Sequence, residues 1–78
     1  MQSYYLSDRD MTVHAHSYED LLIQIKDMNS ETKNMNLKEY TDFAREMLLV
    51  YANLKLDEAA PEDIVKYWIE HKIVIPKG

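Results

Sequence analysis

Cysteine is absent from the 78 residues, which removes disulfide cross-links, thiolate zinc sites and cysteine nucleophiles together. Glycine occurs once, at Gly78, so no glycine-rich loop can wrap a phosphate. No apolar run approaches the roughly 18 residues of a membrane-spanning helix, and residues 1–16 lack the basic-then-apolar order of a secretion signal. Positive charge is also scarce. The formal net charge is −5, which repels phosphate backbones and disfavours nucleic acid as a partner. A chain that must fold without cross-links suits a reducing compartment, so the expected location is cytoplasmic, with no membrane contact.

What is present is a folding sequence. A hydrophobic share of 46% with few glycines and prolines argues for an ordered, helix-rich chain. At this length there is room for one domain, residues 1–78, which hides about 60% of the surface its unfolded form would expose. Its core supplies about 3–5 kcal/mol of net stability.

The longest apolar segment is 37–54, LKEYTDFAREMLLVYANL. Wound at 100° per residue, it puts Leu37, Tyr40, Phe43, Ala44, Met47, Leu48, Val50, Tyr51 and Leu54 on one very wide face, with Lys38, Glu39, Asp42, Arg45, Glu46 and Asn53 opposite. A face that broad needs more than one neighbour to cover it. The segment is therefore expected to be the central helix and spine of the fold.

Two short runs rich in aromatic and β-branched residues precede it. In the second, Met11, Val13 and Ala15 alternate with Thr12, His14 and His16, the pattern of a half-buried strand. In the first, Tyr4 and Leu6 share the buried side and Ser3, Tyr5 and Ser7 the outer one. With Asp8-Arg9-Asp10 between them, they predict a β-hairpin over 3–16. A lone hairpin is barely stable in water, so its apolar side must rest on helices.

Ser17 with Asp20 forms a variant capping box. It opens an amphipathic helix over about 17–28, whose stripe is Tyr18, Leu21, Leu22, Ile25 and Met28. Asn29 to Asn36 has no periodicity and reads as a loop. Asn36 with Glu39 makes a second capping box for the helix at about 36–54, with Met35 placed to staple Tyr40. Pro61-Glu62-Asp63 starts a third helix, about 61–71, on which Ile64, Val65 and Trp68 share a face. The tail 72–78 runs extended because the residue before Pro76 is biased away from helix. It either crosses the helices or adds a strand to the hairpin. The predicted class is α+β, an N-terminal hairpin packed on three helices.

Candidate chemistry is thin. His14 and His16 face one side of a strand and could grip a metal, but a site needs further ligands, and two solvent-facing histidines are the simpler reading. Asp8-Arg9-Asp10 starts like a calcium loop yet lacks its glycine and closing glutamate. The serines have no neighbouring base, so no enzymatic activity and no cofactor are expected. The second and third helices could form a helix-turn-helix, but the reading helix would open with carboxylates, and Lys66, Lys72 and Lys77 are too few to offset them.

The remaining signal is apolar surface that folding does not place. Leu49 sits on the polar side of the central helix, Ile23 off the stripe of the first and Ile69 at the edge of the third; Tyr5 and Tyr67 are also expected at the surface. Scattered exposed apolar residues are ordinary, but gathered they form a protein interface or a homodimer contact. The function this supports is a small non-enzymatic protein-binding module, such as a phage- or plasmid-type inhibitor or adaptor that works by surface occlusion. Glu58, Glu62, Asp63 and Glu70 would imitate phosphates toward a basic partner.

Overall fold

The computed structural model describes residues 1–53, 55 and 60–77. In chain order the elements are strands β1 (Gln2–Leu6) and β2 (Met11–Ala15), helices α1 (Tyr18–Asp27), α2 (Leu37–Ala52) and α3 (Pro61–Glu70), and strand β3 (Val74–Pro76). The α+β class and the N-terminal hairpin on three helices are as the sequence predicts. The helix expected over 37–54 is α2; residue 54 lies outside the described residues.

The three strands form one antiparallel sheet in the order β2-β1-β3. β1 and β2 pair from Gln2↔Ala15 to Leu6↔Met11, so Tyr4 opposes Val13 and both are buried. The hairpin loop closes without glycine because Asp10 takes the left-handed conformation, φ 48°, which Asp and Asn tolerate better than other side chains. Of the two courses open to the tail, the added strand is realised: Tyr4↔Pro76, Tyr5↔Ile75 and Leu6↔Val74 pair β1 with β3.

Helix ends follow local chemistry. The Ser17 hydroxyl accepts from the Asp20 N–H at 3.0 Å, while Asp20 Oδ2 accepts from the His16 N–H at 2.9 Å. Asn36 and Glu39 satisfy each other's backbone N–H at 2.8 and 2.9 Å, a complete capping box. Asp63 accepts from the Ala60 N–H at 3.0 Å, with Pro61 at the first helical position. α3 ends in a Schellman motif: Ile73 N–H reaches the Trp68 carbonyl and Lys72 N–H that of Ile69, with Lys72 left-handed at φ 60°. That reversal aims the chain back at β1, where the Ser7 N–H donates to the Ile73 carbonyl. The 29–36 loop is held by Lys26, whose buried Nζ donates to the Lys33 carbonyl at 2.8 Å and Asp27 Oδ1 at 2.6 Å.

One expectation is corrected. The breadth of its apolar face predicts α2 as the spine, but the packing centre is α3, whose Ile64 and Val65 are completely enclosed with Leu6, Leu21, Leu22 and Val74. α3 lies against α1, α2 and β3 at once. α2 buries Tyr40, Thr41, Ala44 and Leu48, with Leu37 and Phe43 partly buried against the core, and its C-terminal half is largely open. Periodicity reports how much apolar surface a helix carries, not how much its neighbours cover.

Candidate functional site

Among the described residues, most of the large exposed apolar side chains gather on the open half of α2. Met47 is 38% exposed, Leu49 46%, Val50 70% and Tyr51 79%. Helical winding sends Phe43, Met47 and Val50 to one flank of the buried arc. Tyr51 falls on the core side by winding, yet stands free. There α2 and α3 diverge into a groove of about 370 Å³, with Phe43, Met47, Leu48 and Tyr51 on one wall and Tyr67, Trp68 and Ile73 on the other. Tyr40 lies at its inner end, its ring 6.0 Å from that of Phe43. On the α3 side the Tyr67 ring stacks on His71 at 4.1 Å.

The charged residues that winding places beside this groove are acidic. Glu39 and Glu46 flank the Phe43–Met47–Val50 row on α2, and Asp63 and Glu70 flank Tyr67 on α3, all exposed. Lys38, Arg45 and Lys66 wind to the far sides of their helices. Lys38 and Arg45 are further engaged by Asp42, at 3.2 and 3.4 Å. The groove is thus an apolar trough with carboxylates along both walls.

The five residues singled out in the sequence do not form one site. Tyr67 lines the groove. Leu49 is exposed on another side of α2, Ile23 is half-buried on α1, and Ile69 is partly buried against the core. Tyr5 is held on the outer face of the sheet, where its hydroxyl donates to Asp10 and Lys77 Nζ stands 5.6 Å above its ring. The hydrogen bond to Asp10 raises the Tyr5 pKa above the usual phenol value, with smaller contributions from burial and the Asp10 charge. Helical angle puts the groove residues Met47 and Tyr51 on the same face as the core positions; only three-dimensional packing shows them bare.

His14 Nδ1 lies 2.8 Å from the Ser3 hydroxyl, and the backbone of His16 is occupied by Asp20. Among the described residues no group of three or more His, Asp or Glu could hold a metal ion. In the hairpin loop Asp8 pairs with Arg9 at 3.4 Å and Asp10 with Tyr5. The free edge of β2 is blunted by Gln24, which donates to the His14 carbonyl at 2.7 Å. Glu62 and Asp63 stand at the start of α3, while Glu58 lies outside the described residues. Among the described residues no helix is long and apolar enough to cross a membrane. No known protein family, curated protein or solved structure matches the chain.

Proposed function

We propose that this chain is a non-enzymatic cytoplasmic protein-binding module that receives a basic amphipathic helix of its partner in the α2–α3 groove, occluding or bridging that partner. The observation that carries the reading is Met47 and Tyr51, exposed in one groove with Tyr67, with exposed Val50 next to them on α2 and carboxylates flanking the row. A helix laid in an apolar groove buries large anchors spaced at i, i+3, i+4 and i+7. Carboxylates along the rim select lysine and arginine on its flanks and speed encounter at low salt. The absence of cysteine and the net charge of −5 fit this setting and this partner chemistry.

The test is fluorescence anisotropy with a labelled leucine–lysine amphipathic helix and its leucine–glutamate counterpart. The basic peptide should bind, more weakly as salt rises, and the acidic one should not. Met47→Asp and Tyr51→Asp should each weaken binding by about thirtyfold, the scale of losing a central apolar anchor, whereas Leu49→Asp should change it little. Equal binding of both peptides, or sensitivity at Leu49 and Ile23 rather than at Met47, would overturn the reading. Sedimentation equilibrium showing that the groove is already closed by a second copy would do the same.

A further inference from the structure

A second cavity, of about 310 Å³, lies beneath the hairpin loop. Its walls are apolar and come from four elements, with Leu6 of β1, Ile25 of α1, Trp68 of α3 and Val74 of β3 among them. Two kinds of polar group converge on it. Asp8 and Arg9 of the loop stand at its mouth, and Tyr40 of α2 reaches in from the core. Tyr40 is only 7% exposed, yet among the described residues its hydroxyl makes no hydrogen bond. No described side-chain polar atom that is fully sealed lacks a partner, so this hydroxyl keeps some access, and Tyr40 lines both this cavity and the neighbouring groove. The ring is thus buried while its hydroxyl stays available as a donor.

The polar groups there set what fits. Burial raises the Tyr40 pKa, Arg9 lowers it in second place and Asp8 raises it least. The hydrogen-bond donors that converge on the cavity, the Arg9 guanidinium and the Tyr40 hydroxyl, come from different elements and suit an acceptor group on a ligand. Arg9 is loosely engaged, with Nη2 3.4 Å from Asp8 and Nη1 3.5 Å from the Met28 sulfur, which leaves donors of its fork to offer. The volume stands at the low end of ligand pockets, which run from about 300 Å³. A cavity of about 150 Å³ already admits benzene, so this one has room for a ring and a short chain.

We propose that the cavity binds a small monocarboxylate with an aromatic or branched apolar body. Its carboxylate accepts from the Tyr40 hydroxyl and the Arg9 guanidinium, and its apolar end lies against Trp68 and Leu6. This site adjoins the α2–α3 groove, with Tyr40, Trp68 and Ile73 shared between them, but it lies beneath the hairpin loop and does not depend on a helix being bound in the groove.

The probes are phenylacetate, its neutral analogue phenylacetamide and its cationic analogue phenethylamine, each titrated into the full chain and followed by two-dimensional NMR. Phenylacetate should shift the Leu6, Ile25 and Val74 methyl signals, which line this cavity and not the groove, together with the Trp68 indole N–H, in a saturable way and raise the melting temperature. The other two probes should bind at least tenfold more weakly. Tyr40→Phe should cost about tenfold in affinity and Arg9→Gln about tenfold or more, the range for hydrogen bonds to a charged group. Arg9 sits on an exposed loop, so Arg9→Gln remains informative even if a change at Tyr40 disturbs folding. Equal binding of the amide or amine, unaltered binding by Arg9→Gln, or shifts at Met47 and Tyr51 that spare Leu6, Ile25 and Val74 would overturn the proposal.

Discussion

If α3 is the packing centre, the sharpest consequence lies at Ile64, which has no exposed surface. Ile64→Val removes one methylene from a site enclosed by helices on two sides and the sheet, and such a change costs about 1 kcal/mol through lost transfer energy and the small void left behind. Ile64→Ala costs about 2–5 kcal/mol, comparable with the roughly 3–5 kcal/mol that a domain of this size has in total. That variant should therefore be largely unfolded in plain buffer. The control is Val50→Ala on α2, which deletes a larger apolar group from a position 70% exposed. Surface changes of this kind stay within about 0.5 kcal/mol, and the higher helix propensity of alanine pushes this one toward stabilisation. Urea unfolding followed both by Trp68 fluorescence and by far-ultraviolet circular dichroism measures the difference. With a urea slope of about 1 kcal/mol per molar for a small domain, Ile64→Val should lower the midpoint by about 1 M. It should lower the melting temperature by about 4–8 °C, with the slope unchanged. If Val50→Ala costs as much as Ile64→Val, or Ile64→Ala melts like the wild type, α3 is not the centre.

Three further outcomes follow from the same geometry. Burial raises the pKa of Tyr4, with a smaller contribution from Tyr18, and also that of Tyr40. Both phenols stay protonated in the fold while the unfolded chain ionises near pH 10. Stability from this source is intact below about pH 10 and falls as pH rises through 10 toward the folded values. Urea midpoints at pH 8 and pH 11 should show that fall and Tyr40→Phe should lessen it; a midpoint that does not drop contradicts the burial of both rings. Asn36→Ala removes one half of the capping box of α2 and should cost about 1 kcal/mol in thermal melts. Glu39→Gln, which keeps the reciprocal hydrogen bond, should cost much less. Lys26→Met keeps the buried stem but leaves the Lys33 carbonyl without its donor, a loss of about 1.5–3 kcal/mol. Hydrogen exchange should accelerate first in residues 29–36, and uniform acceleration would show that Lys26 does not hold that loop in particular.

How far the sequence carries depends on the range of the interaction. The starts of α1, α2 and α3 were legible at Ser17, Asn36 and Pro61 because a cap joins residues three apart. The alternation of β2, also a short-range pattern, places Val13 and Ala15 inside, while Met11, expected on the same side, stands exposed at the strand's start beside the loop. The pairing of β3 with β1 was not legible, since it depends on Lys72 adopting a left-handed conformation that no glycine announces. The meeting of Arg9 and Tyr40 at one cavity was equally hidden: they are far apart in the chain, and neither residue departs from its own segment's pattern. α2 is the instructive case. Its winding shows a face too wide for one neighbour, and the sequence alone suggests that the rest of the chain must close over it. The described structure instead spends its enclosed positions on α3 and leaves Met47, Val50 and Tyr51 uncovered. In a chain of 78 residues, where the core is limited by surface-to-volume scaling, a bare apolar row lowers solubility without adding to the fold. A contact made from outside the chain is the physical account of its retention that the helix-in-groove proposal puts to the test.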